Sequence, residues 1–269
     1  MSQEKAYFKN EYLKDLLRYR ELFYFLSLRD ILVRYKQAFF GIAWALVRPI
    51  LNMIVFTLLF SQIANLPSDG INYGLFVLAG MLPWQLFSNS LGDTSNSLVN
   101  SSNLVSKIYF PRILIPAAQI TVHIVDFAIG IGLLTLLAFC TGSLSCLTIF
   151  ALPTFVGLSI LLCMGCGLWL SALTVEYRDF RFIIPFVVQF GMFISPVGYG
   201  TFVIPEKWKW FFFLNPMVGI IDGFRWSFFG TYHPYIFFSV GFSVIITIVL
   251  LVSGFLYFRK MERTFADRI

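Results

Sequence analysis

The chain changes its hydrophobic rhythm within one stretch, LSLRDILVRYKQAFFGIAWALVRP, Leu26 to Pro49. In the first half Leu28, Ile31, Leu32, Tyr35 and Phe39 recur at spacings of three, four and seven, while Arg29, Asp30, Arg34, Lys36 and Gln37 fill the opposite arc. This spacing predicts an amphipathic helix. Upstream, Leu13, Leu16, Leu17 and Phe23 interleave with Lys14, Arg18, Arg20 and Glu21, so the whole arm suits a membrane interface with its arginines toward anionic headgroups. A plain anchor with no further role satisfies the same pattern.

The second half of the stretch opens a run of nearly pure hydrocarbon. Six such segments follow one another, roughly 38 to 63, 73 to 93, 113 to 139, 147 to 174, 182 to 200 and 235 to 258. Each is about the 20 residues needed to cross a ~30 Å hydrocarbon layer at ~1.5 Å per residue. The expected fold is therefore an all-α integral membrane protein with six transmembrane helices and both ends on one side.

The connections carry their own signals. Ser97 to Arg112, SLVNSSNLVSKIYFPR, is longer and more polar than a turn and is closed by Pro111, which fits a short surface helix. Val175 to Arg181, VEYRDFR, is a second charged connection on the same side; both are either docking surfaces or solvated turns. Residues 201 to 234 are too aromatic for a soluble loop yet are broken by Pro205, Asn215, Pro216, Gly219, Gly223 and Gly230. Two short re-entrant helices between spans five and six reconcile these facts, because irregular backbone at membrane depth needs a protein or water-lined cover. No internal repeat or soluble domain interrupts the chain, which reads as one integral membrane domain over 1–269. An interfacial segment at 1–37 leads the six-span region at 38–258, and a tail at 259–269 follows it.

Composition supports this pattern: 58% of residues are hydrophobic, 13% are charged, and the mean hydropathy is +0.78. Soluble chains lie nearer ~45–50% and ~25%. No cleavable secretory signal is visible in the charged first 37 residues. The net charge of +6 would suggest nucleic acid in a soluble protein, but its distribution decides otherwise, and no nucleic-acid partner is expected. Sixteen of the 20 Lys and Arg residues fall on the side of the termini and the second-to-third and fourth-to-fifth connections, whereas the opposite side has Lys207, Lys209 and Arg225. The positive-inside rule then puts both termini in the cytoplasm. Cys140 and Cys146 flank an outer loop where a disulfide is conceivable, while Cys163 and Cys166 read as small core residues.

Ionisable residues within spans are costly and therefore candidates for function. Arg48 lies about 15 Å into the first span and precedes Pro49, which suits a broken helix. His123 and Asp126 share a face of the third span and could form a proton relay; Asp126 could equally pair with Arg48, or Arg48 could face a pore. No nucleophile and base fall together, and no G-x-x-x-x-G-K-[ST] loop is present for binding ATP, so an enzyme is not indicated. Phe182, Phe186, Gln189, Phe190 and Phe193 fall on one face of the fifth span. Such an aromatic stripe could let a sugar chain slide over apolar rings, or could simply face lipid or another helix. Trp44, Trp84, Trp208 and Trp210 fall where interfacial belts form.

These landmarks together resemble the membrane subunit of type 2 ABC exporters, specifically the group that moves O-antigen, capsule or teichoic acid polymers. RDILVRYKQAFFGIAWALVRP resembles that family's interface helix entering the first span. NYGLFVLAGMLPWQLFSNSL, NLVSKIYFPR, YRDFRFIIPF, SPVGY and NPMVGIIDGFRW follow in the expected order over essentially the whole chain. The resemblance implies a homodimer in the bacterial cytoplasmic membrane, joined to a separate nucleotide-binding ABC ATPase that holds the ATP and Mg, with no cofactor in this chain. It implies ATPase coupling by Arg29, Asp30, Arg34, Asn103, Lys107, Tyr109, Arg112, Tyr177, Arg178 and Asp179, and a lipid-linked polysaccharide as substrate. Spans one and five would line its path, through Trp44, Arg48, Phe182, Phe186, Gln189, Phe190 and Phe193. The two re-entrant helices would form an outer gate with Trp208, Trp210, Asn215, Pro216 and Arg225. Relatives are expected to have an uncharged residue where Arg48 stands. Other readings are an ABC exporter of lipid or drug, a proton-coupled transporter using His123 and Asp126, and a membrane-embedded glycan-modifying enzyme.

Overall fold

The computed structural model describes residues 14–36 and 43–265, and no strand occurs among them. Helix α1, Arg20–Lys36, has Glu21 in its first turn and Arg34 and Lys36 in its last, each sign opposing the local end of the helix dipole. Phe39 and Gln37 of the expected amphipathic pattern, like the start of the first span, lie outside the described residues. Helix α2, Ala43–Phe56, contains Pro49 and widens into π-helical turns over Thr57–Ile63.

Helix α3, Tyr73–Asn100, is 28 residues long and is capped by the Asn72 carboxamide, which accepts from the Gly74 N–H at 3.0 Å. The short α4, Ser102–Lys107, fills the connection read as a surface helix. Two long helices follow, α5 (Leu114–Cys140) and α6 (Leu152–Glu176), the second led in by a 3-10 turn at Thr148–Ala151. Helix α7, Phe180–Ile194, ends where Pro196 forces Ser195 into an extended conformation (φ −88°, ψ 142°). The fifth span expected over 182–200 is thus a 15-residue helix, about 22 Å long.

The region after it contains two short helices, α8 (Glu206–Phe213) and α9 (Pro216–Phe229). Asn215 caps α9 by accepting from the Met217 N–H at 3.0 Å, Pro216 occupies its first turn, and Gly230 stops it in the left-handed region at φ 69°. Helix α10, Ile236–Met261, closes the fold.

Among the described residues, four helical stretches are long and apolar enough to cross a membrane: Ala43–Ile63, Leu114–Cys140, Thr148–Glu176 and Ile236–Thr264. Helix α3 has the length but places Gln85, Asn89, Asp93 and Asn96 in its second half, and α7 is apolar but short.

The core forms around α3, which buries Phe76, Leu78, Met81, Leu82 and Leu86 against α5, α6 and α9. Helices α6 and α10 approach closely through glycines: a Cβ on Gly254 would lie 2.4 Å from the Gly165 carbonyl oxygen. Small residues allow the backbone contact that drives helix association where lipid removes the hydrophobic term. A second apolar cluster ties Leu26 of α1 to Leu98, Val105, Phe110, Ile113, Val175, Phe258 and Phe265, the chain ends and connections expected on the cytoplasmic side. Helices α2 and α7 lie at the edge of this core and touch it through Met53, Phe56, Val188 and Met192. Each buries one residue, Pro49 and Ile184 respectively, and leaves an apolar face open.

Candidate functional site

Five helices converge on one furrow. Along α2, Trp44, Arg48 and Asn52 recur every four residues and so share a face. Ala45, whose carbonyl loses its helical donor at Pro49, lines the same wall. Helix α3 contributes Trp84, Gln85, Ser88 and Asn89; α7 contributes Val188, Gln189 and Met192; α5 contributes His123, Asp126 and Phe127; and α1 reaches in with Arg34 and Tyr35. The cavity measures about 640 Å³. A second hollow of about 440 Å³ shares Arg34, Arg48, Asn89, His123 and Gln189, and extends to Asp93, Asn96, Ile184 and Pro185. Together they form a continuous channel-like groove between α2, α3 and α7.

The groove lining mixes polar and aromatic side chains. Amides from Asn52, Gln85, Asn89 and Gln189 offer donors and acceptors together, and Trp44 and Trp84 offer flat apolar rings. This mixture suits a ligand with both hydroxyl groups and apolar C–H faces.

Charges are arranged around a strap formed by the end of α1. A guanidinium nitrogen of Arg34 lies 2.6 Å from an Asp126 oxygen and another lies 3.9 Å from Asp93, while the Tyr35 hydroxyl donates to Asp126. Burial, and then the bond to Asp126, push Tyr35 well above the usual phenol range, keeping it a neutral donor. His123, 2% exposed, meets Asp93 with its Nε2 at 2.8 Å. Asp30 is held by Arg29 at 2.7 Å and by the Gln119 carboxamide, which donates to it at 2.7 Å. Four polar links thus fasten α1 to its neighbours, one to Asp93 of α3 and three to Gln119 and Asp126 of α5.

The ionisable residues are therefore partnered differently from the simplest expectations. Asp126 pairs with Arg34 and not with Arg48, because the interface helix folds back over α5 and presents Arg34 first. His123 and Asp126 do not serve each other; each is engaged by a different group, which leaves a relay between them without a geometric basis. Arg48 faces the groove, with its guanidinium carbon 6.0 Å from the Trp44 ring centre.

Of the residues expected along the path, Trp44, Arg48 and Gln189 line the groove. Phe182, Phe186, Phe190 and Phe193 lie on the open face of α7 beside it, with the Phe186 and Phe190 rings 4.4 Å apart. Among the coupling residues, Asn103, Lys107 and Tyr109 project outward while Val105 and Phe110 anchor them. Tyr177, Arg178 and Asp179 are exposed at the turn into α7. Arg112 is fastened internally: its N–H donates to the Glu262 carboxylate at 2.7 Å, and its guanidinium donates to the Glu262 carbonyl.

Among the gate residues, Trp208 and Trp210 are exposed, with Trp210 also edge-on to Phe213, Phe238 and Phe242. Asn215 and Pro216 start α9, and the Asn215 amide donates to Ser195 Oγ at 2.9 Å. Arg225 is buried, donating to the carbonyls of Val197 (2.8 Å), Tyr199 (3.0 Å) and Phe76 (3.2 Å), and its guanidinium covers the Phe76 ring at 3.6 Å. It satisfies the backbone that the break after α7 exposes. Cys140 and Cys146 are free thiols, as are the more buried Cys163 and Cys166.

Asn52, Gln85, Ser88, Asn89 and Asp93 were not expected at the site. For the residues on α3 the signal was present in the helical spacing of the polar residues at 85, 88, 89, 93 and 96 along an otherwise apolar helix.

A family model described as ABC-2 type transporter matches residues 21–229. Among curated proteins, the chain is 25% identical over 240 residues to the O-antigen export system permease protein RfbA of Klebsiella pneumoniae, covering 89% of this chain and 91% of that one. It is also 25% identical over 260 residues to the protein of the same name from Myxococcus xanthus, covering 95% and 98% respectively. The polysialic acid transport protein KpsM of Escherichia coli is 23% identical over 240 residues, covering 88% of this chain and 92% of that one.

Proposed function

This chain belongs to the ABC-2 type transporter family, and from that premise we propose that it is the membrane-spanning permease of an ATP-driven exporter. Its cargo in this reading is a lipid-linked cell-surface polysaccharide of the O-antigen or capsule kind, carried across the bacterial cytoplasmic membrane. The observation that carries the reading is the groove, where four carboxamides and two tryptophans line a cavity between helices whose outer faces are still open. A lipid or drug path would not need so many amides. The names of the relatives, O-antigen export permease and polysialic acid transport protein, point the same way.

In this reading α3 and α7 complete a set of six spans, α8 and α9 dip into the outer leaflet as the gate, and both termini are cytoplasmic. Two copies meet through the open faces of α2 and α7, so that Phe182, Phe186, Phe190 and Phe193 extend each groove into a shared path. The ATPase partner, which holds the ATP and Mg, seats against Asn103, Lys107, Tyr109 and the turn Tyr177–Asp179.

Coupling then follows from packing. A push on α4 reaches Leu26 of α1 through the cluster of Val105 and Phe110. Helix α1 in turn grips the groove wall through Asp30 with Gln119 and Arg34 with Asp126. A rigid lever thus joins the nucleotide machine to the path. The cargo alone supplies no net work, so nucleotide binding must bias the two states of the groove.

The test is reconstitution with the ATPase partner in vesicles. Lipid-linked glycan should become protected inside inverted vesicles only when ATP is hydrolysed. Uphill transport by the purified chain with no ATPase would end the reading. Charge reversal at Lys107 together with Tyr109→Ala should lower recovery of the ATPase complex without altering insertion of the permease.

A further inference from the structure

We propose that Arg48 selects an anionic cargo: the group that occupies the groove carries a carboxylate or a phosphate, which the Arg48 guanidinium engages. This rests on the exporter reading and specifies the chemistry of its substrate.

The argument starts from charge balance. Among the described residues only two carboxylates line the groove, Asp93 and Asp126, and both are already engaged. Asp126 is held by Arg34 at 2.6 Å and by the Tyr35 hydroxyl, and Asp93 by His123 at 2.8 Å. No carboxylate among the described residues lies within ion-pair distance of Arg48, whose guanidinium lies beside the Trp44 ring. A cation at membrane depth is costly unless an anion or water compensates it, and such residues face cavities that handle charged ligands.

The surroundings fit the same ligand. Arginine presents a planar fork that matches carboxylate and phosphate oxygens, and weak hydration lets it work where water is scarce. Asn52, one helical turn beyond Arg48 on the same face, and Gln189 across the groove can bind hydroxyls next to the anion. Trp44 and Trp84 can cover apolar sugar faces. A neutral polymer would use the amides and rings but would leave Arg48 uncompensated.

Two sources can supply the anion: acidic sugars along the polymer, or the phosphate that joins it to its lipid carrier. The experiment separates them. The complex with its ATPase, in nanodiscs, is titrated with oligogalacturonate, with a neutral maltodextrin of equal length, and with farnesyl phosphate, and binding is followed by tryptophan fluorescence. Wild-type protein should bind at least one anionic probe about tenfold or more tighter than the neutral one, and 1 M salt should erase most of that preference. Arg48→Gln should lose it, and Arg48→Lys should retain part.

Preference for oligogalacturonate places the charge on the polymer, and preference for farnesyl phosphate places it on the carrier; either supports the proposal. Equal binding of neutral and anionic probes by the wild type overturns it while leaving glycan export standing. An anion preference unchanged in Arg48→Gln also overturns it. Should no probe bind the wild-type complex, the proposal and the glycan-export reading fall together. The wild-type salt response keeps the question decidable if Arg48→Gln fails to assemble.

Discussion

At the scale of single residues, the fold depends on a few polar side chains that take over where helices stop. Arg225 is the clearest case, since one guanidinium serves three carbonyls from two segments. Lysine carries the same charge but is a point donor on a flexible stem and cannot match that fork. Arg225→Lys should therefore lower the melting temperature in detergent, with a loss on the order of 2–6 kcal/mol if two buried carbonyls are left unpaired at ~1–3 kcal/mol each. Gly80 belongs to the same arrangement, because a Cβ there would lie 2.7 Å from the Arg225 Nη2. The Arg34–Asp126 pair invites a double-mutant cycle. Its side chains are 30% and 22% exposed, so it sits between surface and buried limits, and each single alanine substitution should cost about 1–3 kcal/mol. The double substitution should cost less than the sum, because removing both partners strands neither charge. Additivity within ~0.5 kcal/mol would show that the two residues act independently.

At the scale of elements, sequence and structure agree where hydrophobic periodicity is strong and diverge where polar residues interrupt it. The amphipathic α1, the surface helix α4, and the long α5, α6 and α10 follow directly from spacing and breakers. The fifth span was expected to reach residue 200, yet α7 stops at Ile194, since Pro196 outweighs the apolar run around it. Helix α3 was read as membrane-crossing only to residue 93 but continues to Asn100. Its polar stripe faces the groove instead of ending the helix. Of the four amides of the site only Gln189 was expected; Asn52, Gln85 and Asn89 were not, because a lone Asn or Gln in a span is unremarkable until neighbouring helices bring four together. Partner choice was also not legible, because Asp126 finds Arg34 through the folding back of α1, a tertiary event with no local signal. Helix packing yields a sharper prediction. Any side chain at Gly254 would drive α10 away from the Gly165 carbonyl, and neither backbone can yield without breaking its own ladder. Gly254→Leu should abolish accumulation of folded protein, whereas Gly241→Leu on the same helix, where a Cβ meets nothing within 4 Å, should be tolerated; size-exclusion profiles in mild detergent would compare them.

At the scale of the whole molecule, the two apolar surfaces with the same exposure have different expected partners. Phe186 on α7 is 61% exposed and Ile245 on α10 is 62% exposed, so accessibility cannot separate a path-lining face from a lipid-facing one. What separates them is their position. Helix α10 is packed by α6 and α9 on its inner side and turns a continuous aliphatic row outward, as a lipid-facing span does. Helix α7 borders a groove with carboxamides and an arginine, and its aromatic row continues that groove. A charge placed in lipid costs ~2.5–3.5 kcal/mol on insertion scales, but a charge facing a water-containing path does not incur that penalty. Ile245→Arg should therefore reduce membrane insertion by roughly tenfold or more, while Phe186→Arg should insert normally and impair export. Quantitative blotting of carbonate-washed membranes measures insertion, and surface glycan staining measures export. Equal insertion losses at both positions would place α7 against lipid and move the path elsewhere. If Phe186→Arg inserts and still exports, the aromatic face is at most a boundary of the path, and the carboxamide groove must carry the cargo by itself.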